Sequence, residues 1–395
     1  MQNSAKAQRP SRGFSFNDPQ VRAWAFQVIA VIFVVGCGWF LFDNTQTNLA
    51  HRGIQSGFGF LNNSAGFGIS QHLIDYTEAD TYARVFFVGL LNTLLVTVVG
   101  IFFATILGFI LGVARLSKNW LIRLLATIYI EVFRNIPPLL QIFFWYFAVL
   151  GPLPGPRQSI SFGGLFFVNN RGLQMPAPVA TDGLGPFIVA VILAIAGWAV
   201  VWRWAKARRH ATGKTFPVFL TGLGLLILLP ALTAMVAGEP FHWDVPVLQG
   251  FNFRGGWVVI PELVSLVLAL SIYTAAFIGE TVRSGIQAVS HGQTEAASSL
   301  GLHPGKILRL VIIPQALRVI IPPLTSQYLN LAKNSSLAAG IGYPDMVSLF
   351  AGTVLNQTGQ AIETMAITMS VYLAISISIS MLMNWYNKRI ALVER

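Results

Sequence analysis

The sequence predicts an all-α polytopic membrane protein of about eight transmembrane helices, and three observations carry that prediction. Of its 395 residues 54% are hydrophobic and 10% are charged, against about a quarter charged in soluble domains. Apolar runs recur near 24–42, 85–114, 126–150, 186–204, 216–236, 258–282, 312–334 and 366–386, and about 20 apolar residues suffice for a helix to cross the hydrocarbon core. The 26 Lys and Arg residues crowd into alternate connecting segments, as positive-inside topology requires. That placement, rather than a nucleic-acid surface, accounts for the formal net charge of +11. The single cysteine, Cys37, lies in an apolar run, so no intrachain disulfide exists.

Residues 1–20 carry Lys6, Arg9 and Arg12 among Ser and Asn without apolar periodicity, the composition of a mobile tail. The first run is long enough to span, and it ends in aromatic residues rather than a small-residue cleavage site, so 21–84 reads as a retained anchor helix followed by an external loop. That loop holds His51, His72, Asp75, Glu78 and Asp80, with no spacing that would gather metal ligands. The second run contains Gly108 and Gly112, a small-xxx-small pair for close helix approach. A basic loop at 115–123 leads to the third run, where Pro137 and Pro138 are expected to kink the helix.

Residues 151–256 open with a Pro/Gly-rich segment, continue as two apolar runs and close with a second loop. The linker between those runs carries Arg203, Lys206, Arg208, Arg209 and Lys214. Gly213-Lys214-Thr215 is not a phosphate loop, because Arg208 stands where the earlier glycine is needed. The eight runs place both termini on the basic side. Arg52, Arg84, Arg157, Arg171 and Arg254 are then the cations of the opposite side, with Arg134, Arg318 and Lys333 in or near spans. No internal repeat is evident.

Between the sixth and seventh runs, 283–314 is too polar to cross a bilayer. Ser290 with Gln293 fits a capping box, Gly301 a helix C′ position and Pro304 the first turn of a second helix, which predicts a helix, a sharp turn and a helix. Glu295, Ala296, Ala297, Gly301 and the closing Val311, Ile313 and Pro314 stand at the spacing of the cytoplasmic EAA loop of ABC importer permeases. The runs LLNTL at 90–94, YIEVFRNIPPL at 129–139, YTAAFIGETVRSGI at 273–286, PQALR at 314–318 and LAKNSSL at 331–337 resemble the polar and general L-amino acid branch of those permeases. The resemblance covers 85–150 and 257–390 and leaves 151–256 as an insertion with two extra transmembrane helices. It implies a type I ABC importer permease-like core in two parts, with Glu295, Ala296, Ala297, Gly301 and Pro314 coupling the chain to an ATP-binding subunit.

Polar groups inside spans are where a path would show, since a charge at mid-bilayer costs about 2.5–3.5 kcal/mol on insertion scales. Glu131 with Arg134 and Glu280 with Arg283 stand three apart, and each pair is expected to form its own ion pair or to serve a gate. In the seventh run Gln327, Asn330 and Asn334 share a face with Lys333 beside them. That face either meets a zwitterionic substrate or makes interhelical hydrogen bonds. Asn92 and Gln141 are weaker members of the same class.

The resemblance implies a non-catalytic permease subunit of an ATP-driven amino acid importer in the bacterial inner membrane, both termini cytosolic. Its implied partners are ATP-binding subunits, a second permease subunit and an external solute-binding protein. No cofactor is expected on this chain, ATP being used by the partner subunits. An ion- or proton-coupled secondary transporter is the alternative, with the intramembrane acids as coupling groups. A membrane enzyme has only scattered histidines behind it.

Overall fold

The computed structural model describes residues 19–51 and 57–390. The tail expected at 1–20 lies almost wholly outside them, as does Arg52. Among the described residues, 7 helices are long and apolar enough to cross a membrane, and the shorter apolar helix Pro138–Leu150 stands where the third run was expected. The chain is a multi-pass membrane protein.

Helix α1 (Pro19–His51) is exposed along most of its length. Helix α2 (Tyr82–Arg115) ends at the basic loop, and α3 (Trp120–Asn135) begins where the Asn119 carboxamide oxygen accepts from the amides of Leu121 and Ile122 at 2.9 and 3.3 Å. The expected kink at Pro137-Pro138 is a full break. Ile136 is extended at φ −95°, ψ 124°, and a new helix, α4 (Pro138–Phe143), starts with Pro138 in its first turn and runs into a π-helical stretch to Leu150. The residue before a proline is driven out of the helical region, and two prolines in succession remove the donors that would carry a helix through.

The segment expected as loops and two helices is richer than that. Helices α5 (Leu184–Thr212) and α6 (Val218–Ala237) form a hairpin packed chiefly on itself, with Gly222 tight against the Trp198 indole. The flanking stretches fold into short strands, β1 (Ile160–Phe162), β2 (Phe166–Asn169), β3 (Gly172–Met175), β4 (Ala177–Ala180), β5 (Phe241–Asp244), β6 (Val247–Gln249), β7 (Asn252–Arg254) and β8 (Trp257–Val259). They form an antiparallel sheet ordered β1-β2-β3-β8 and two ribbons, β4-β5 and β6-β7. The all-α expectation therefore holds for the spans and gains short antiparallel strands on either side of the α5–α6 hairpin. Strands of three and four residues carry too little alternation to be seen in sequence.

The core is organised on α2 and α7 (Pro261–Gln287). A Cβ on Gly108 would lie 2.5 Å from Ile278, and one on Gly112 would lie 2.7 Å from the Gly279 carbonyl oxygen. Those glycines let the two backbones approach as the sequence predicts. Helix α8 (His291–Ser299), α9 (Pro304–Ile307), a π turn at Leu308–Ile312 and α10 (Ile313–Asn334) follow. The chain continues through a 3-10 stretch to Ile341, a π-helical segment from Val347 to Val354, α11 (Leu355–Thr358) and α12 (Ala361–Ile390). One hydrophobic cluster joins α2, α7 and α10 around Leu266, Leu270, Ile278, Ile320 and Leu331. A second gathers Phe60, Tyr82, Val85, Met346 and Phe350 toward the end of the bundle away from α8.

Candidate coupling loop and translocation face

Helix α8 lies against α9 and the π turn that opens into α10. Its C-terminus closes as a Schellman turn, with Leu302 N–H donating to Ala297 O at 3.3 Å and Gly301 N–H to Ser298 O at 2.9 Å. Gly301 sits at φ +74°, in the left-handed region that costs a β-carbon, and His303 then caps α9 with Pro304 in its first turn. The helix, turn and helix are as expected, but the capping box is not formed. Ser290 stands at the N-cap with no side-chain cap bond, and the Gln293 carboxamide instead accepts from Gln315 at 3.2 Å, tying α8 to the start of α10. That tie competes for the group the box would have used.

The five residues of the motif divide by exposure. Glu295 is exposed, held among the described residues by His291 alone at 3.1 Å, and Ala296 beside it is exposed as well. Ala297 is buried within the loop itself, and Pro314 is half-buried at the beginning of α10. The exposed surface of the loop includes Glu295, Ala296, Ser299 and Leu300, the last 80% exposed. Ala297 and Gly301 shape that surface from beneath and at its turn.

Beside the loop the ion pairs differ from the expectation. Glu131 does not pair with Arg134. It accepts from Arg115 at 3.3 Å, while the Arg134 guanidinium lies over the Phe277 ring at 5.2 Å. Glu280 and Arg283 do pair, and Arg115 joins them from α2. The i,i+3 spacing placed Glu131 and Arg134 near each other on α3, but α2 and α7 bring better-aligned partners to both.

The expected polar face on α10 is present. Gln327 and Asn334 are half-buried, Asn330 and Lys333 exposed, and none of the four side chains has a hydrogen-bond partner among the described residues. Asn92 and Gln141 are not part of it. Gln141 is buried and donates to the carbonyls of Phe133 and Ile136, both at 3.0 Å, satisfying acceptors freed by the break before α4. Asn92 is buried and donates to Gln71 O at 2.7 Å and Pro344 O at 2.9 Å.

Sequence reasoning missed the group around Asn92. Asp345 is fully buried, accepts from Tyr372 OH at 2.9 Å and from Ser348 N–H at 2.8 Å, and stands next to Met346, whose N–H donates to Thr93 at 3.0 Å. Tyr343 OH reaches the Asn92 carbonyl at 3.2 Å. The group pins the irregular segment after α10 to α2 and α12. The available signal was an acid after a proline inside the apolar stretch 337–354.

Residues 100–392 match the family described as binding-protein-dependent transport system inner membrane component. The chain belongs to this family. It is 65% identical over 381 residues to YhdX of Escherichia coli (strain K12), named as a candidate amino-acid ABC transporter permease, covering 96% of this chain and 97% of that protein. It is 53% identical over 387 residues to AapQ of Rhizobium johnstonii, a general L-amino acid transport system permease, covering 97% of this chain and 96% of that protein. BztB of Rhodobacter capsulatus, a glutamate/glutamine/aspartate/asparagine transport system permease, is 43% identical over 423 residues, covering 98% of each chain. These alignments run through 151–256, so the insertion is shared with such relatives. As an inner membrane transport component the chain is a non-catalytic subunit.

Proposed function

We propose that this chain is the transmembrane permease subunit of an ATP-driven amino acid importer. The observation that carries the reading is the α8 loop. It is a short helix stopped by a Schellman turn at the end of α7, presenting a small and acidic surface outside the spans. Glu295 and Ala296 meet the ATP-binding subunit, with Leu300 as an apolar contact, while Ala297, Gly301 and Pro314 hold the loop in shape. Closure of the ATP-binding subunits on ATP moves α8, and the direct run from α9 into α10 carries that movement to the polar face of Gln327, Asn330, Lys333 and Asn334. That face lines the path together with a second permease subunit. Its unsatisfied amides and ammonium suit the carboxylate and ammonium of an amino acid delivered by an external solute-binding protein.

The α8 end, the α5–α6 turn and both termini face the cytosol in this reading, supported by the Lys and Arg bias. The gradient-coupled alternative draws no support from Glu131 and Glu280, which are engaged by Arg115 and Arg283. The deciding experiment reconstitutes the whole complex in proteoliposomes with a binding protein and labelled amino acid. Uptake should require ATP on the α8 side and persist when ionophores collapse ion and proton gradients. Uptake that follows the gradient without ATP overturns the reading.

A further inference from the structure

The turned end of the α5–α6 hairpin holds a cavity of about 580 Å³, lined by Trp202, Ala205, Lys206, Arg209, His210, Thr215, Phe216 and Val218. On α5 the lining positions fall at i, i+3, i+4, i+7 and i+8, so Lys206, Arg209 and His210 stand on one helical face above Trp202. Residues 200–218 contain no Asp or Glu, and no carboxylate pairs with these cations among the described residues. Lys206 has a cation–π contact with Trp202 at 5.7 Å. The helix dipole and membrane topology account for cations near this terminus. They do not account for a cavity with the cations gathered on its wall.

We propose that this cavity binds the phosphate of an anionic phospholipid headgroup. Lys206 and Arg209 supply charge, His210 and the Thr215 hydroxyl supply further hydrogen bonds, and the Trp202 ring sits at headgroup depth, where interfacial tryptophans collect. The acyl chains have a place to lie. Ile195, two turns before Trp202 on the same face of α5, and Phe219, in ring contact with Trp198 one turn before Trp202, are both exposed and continue from the cavity along the hairpin into the bilayer. A polar anion matches only the cationic wall and an apolar molecule only the strip. A lipid matches both. The site lies on the insertion, away from the path and the α8 loop, so it stands independently of the transport reading.

The test uses the purified full-length chain in a neutral detergent, with bound lipid counted by native mass spectrometry during titration with phosphatidylglycerol or phosphatidylcholine. The wild-type chain is expected to prefer phosphatidylglycerol, and the double variant Lys206→Gln/Arg209→Gln to lose about thirtyfold of that affinity, two cations' worth at a membrane surface. The control Arg203→Gln/Arg208→Gln removes the same formal charge off the cavity wall and should stay within about threefold of wild type. Lys206→Arg/Arg209→Lys should restore binding and shows that the hairpin tolerates change there. Equal retention of the two lipids, equal loss in the two double variants, or displacement of phosphatidylglycerol by millimolar inorganic phosphate would each overturn the proposal, the last by assigning the cavity to a free anion.

Discussion

Arg115, the last residue of α2, donates to the Glu280 carboxylate of α7 across 165 positions of sequence. It reaches Glu131 of α3 as well, so one guanidinium ties three helices together near the base of the α8 loop. Both Arg115 and Glu280 are largely shielded, and removing the cation leaves Glu280 with Arg283 alone and Glu131 with no charge partner. Arg115→Ala is therefore expected to destabilise the detergent-solubilised chain by about 1–3 kcal/mol. Arg134→Ala, which forfeits a cation–π contact, is expected to cost about 0.5–1 kcal/mol. Thermal melts of the two variants check the order, and the reverse order would show that α3 depends on its own charges instead.

The coupling loop separates shape from contact. Gly301→Val places a branched side chain at positive φ and should cost about 1–3 kcal/mol of local strain, misdirecting α9. Ala297→Trp overfills a buried position and should deform the loop in the isolated subunit. Ala296→Trp and Glu295→Ala alter exposed positions, so the isolated chain should melt normally while co-purification with the ATP-binding subunits weakens. If all four variants support full ATP-dependent uptake, α8 is not the coupling element.

On the polar face, Asn330→Leu removes a group with no partner among the described residues. Its melting temperature should be unchanged, and the half-saturation concentration for uptake should rise severalfold, about the effect of one lost hydrogen bond. Lost assembly with unchanged affinity would instead make this face a subunit contact.

Gln141→Leu and Asn92→Leu should behave in the opposite way. Each strands backbone carbonyls in a low-dielectric interior, so each should lower stability by about 1–3 kcal/mol. Neither should alter substrate affinity in whatever folded protein remains, measured by uptake normalised to inserted subunit.

Topology is read by labelling in a Cys37→Ser background with an impermeant thiol reagent. Asn62→Cys and Asn356→Cys occupy exposed positions at the end away from α8 and should react from outside the cell, and Lys214→Cys should not. Reaction of Lys214→Cys from outside would invert the orientation.

Much of this protein is legible without coordinates because the bilayer removes choices. A run of apolar residues with no water to bond must be a helix, so length and composition alone determine nearly all the spans. Local chemistry likewise determines the α8 loop. A glycine at C′ and a proline at N1 stop one helix and start the next through steric rules that act within a few residues, and Gly301 and Pro304 obey them.

Partner choice is what only the tertiary structure decided. Glu131 stood three residues from Arg134, yet the close packing of α2 on α7 at Gly108 and Gly112 holds Arg115 on Glu280, from where it takes Glu131 in place of Arg134. Gln141 and Asn92 looked like path residues because polarity in a span signals function. Here a proline break and the irregular segment at Pro344 leave carbonyls that those amides satisfy. Asp345 went unseen because its burial depends on Tyr372 and Thr93, contributed by helices on either side of it in the chain. An amide or carboxylate has the same identity in sequence whether it faces a path, a broken helix or a neighbouring hydroxyl. The deciding term is which unsatisfied group the fold brings within about 3 Å of it.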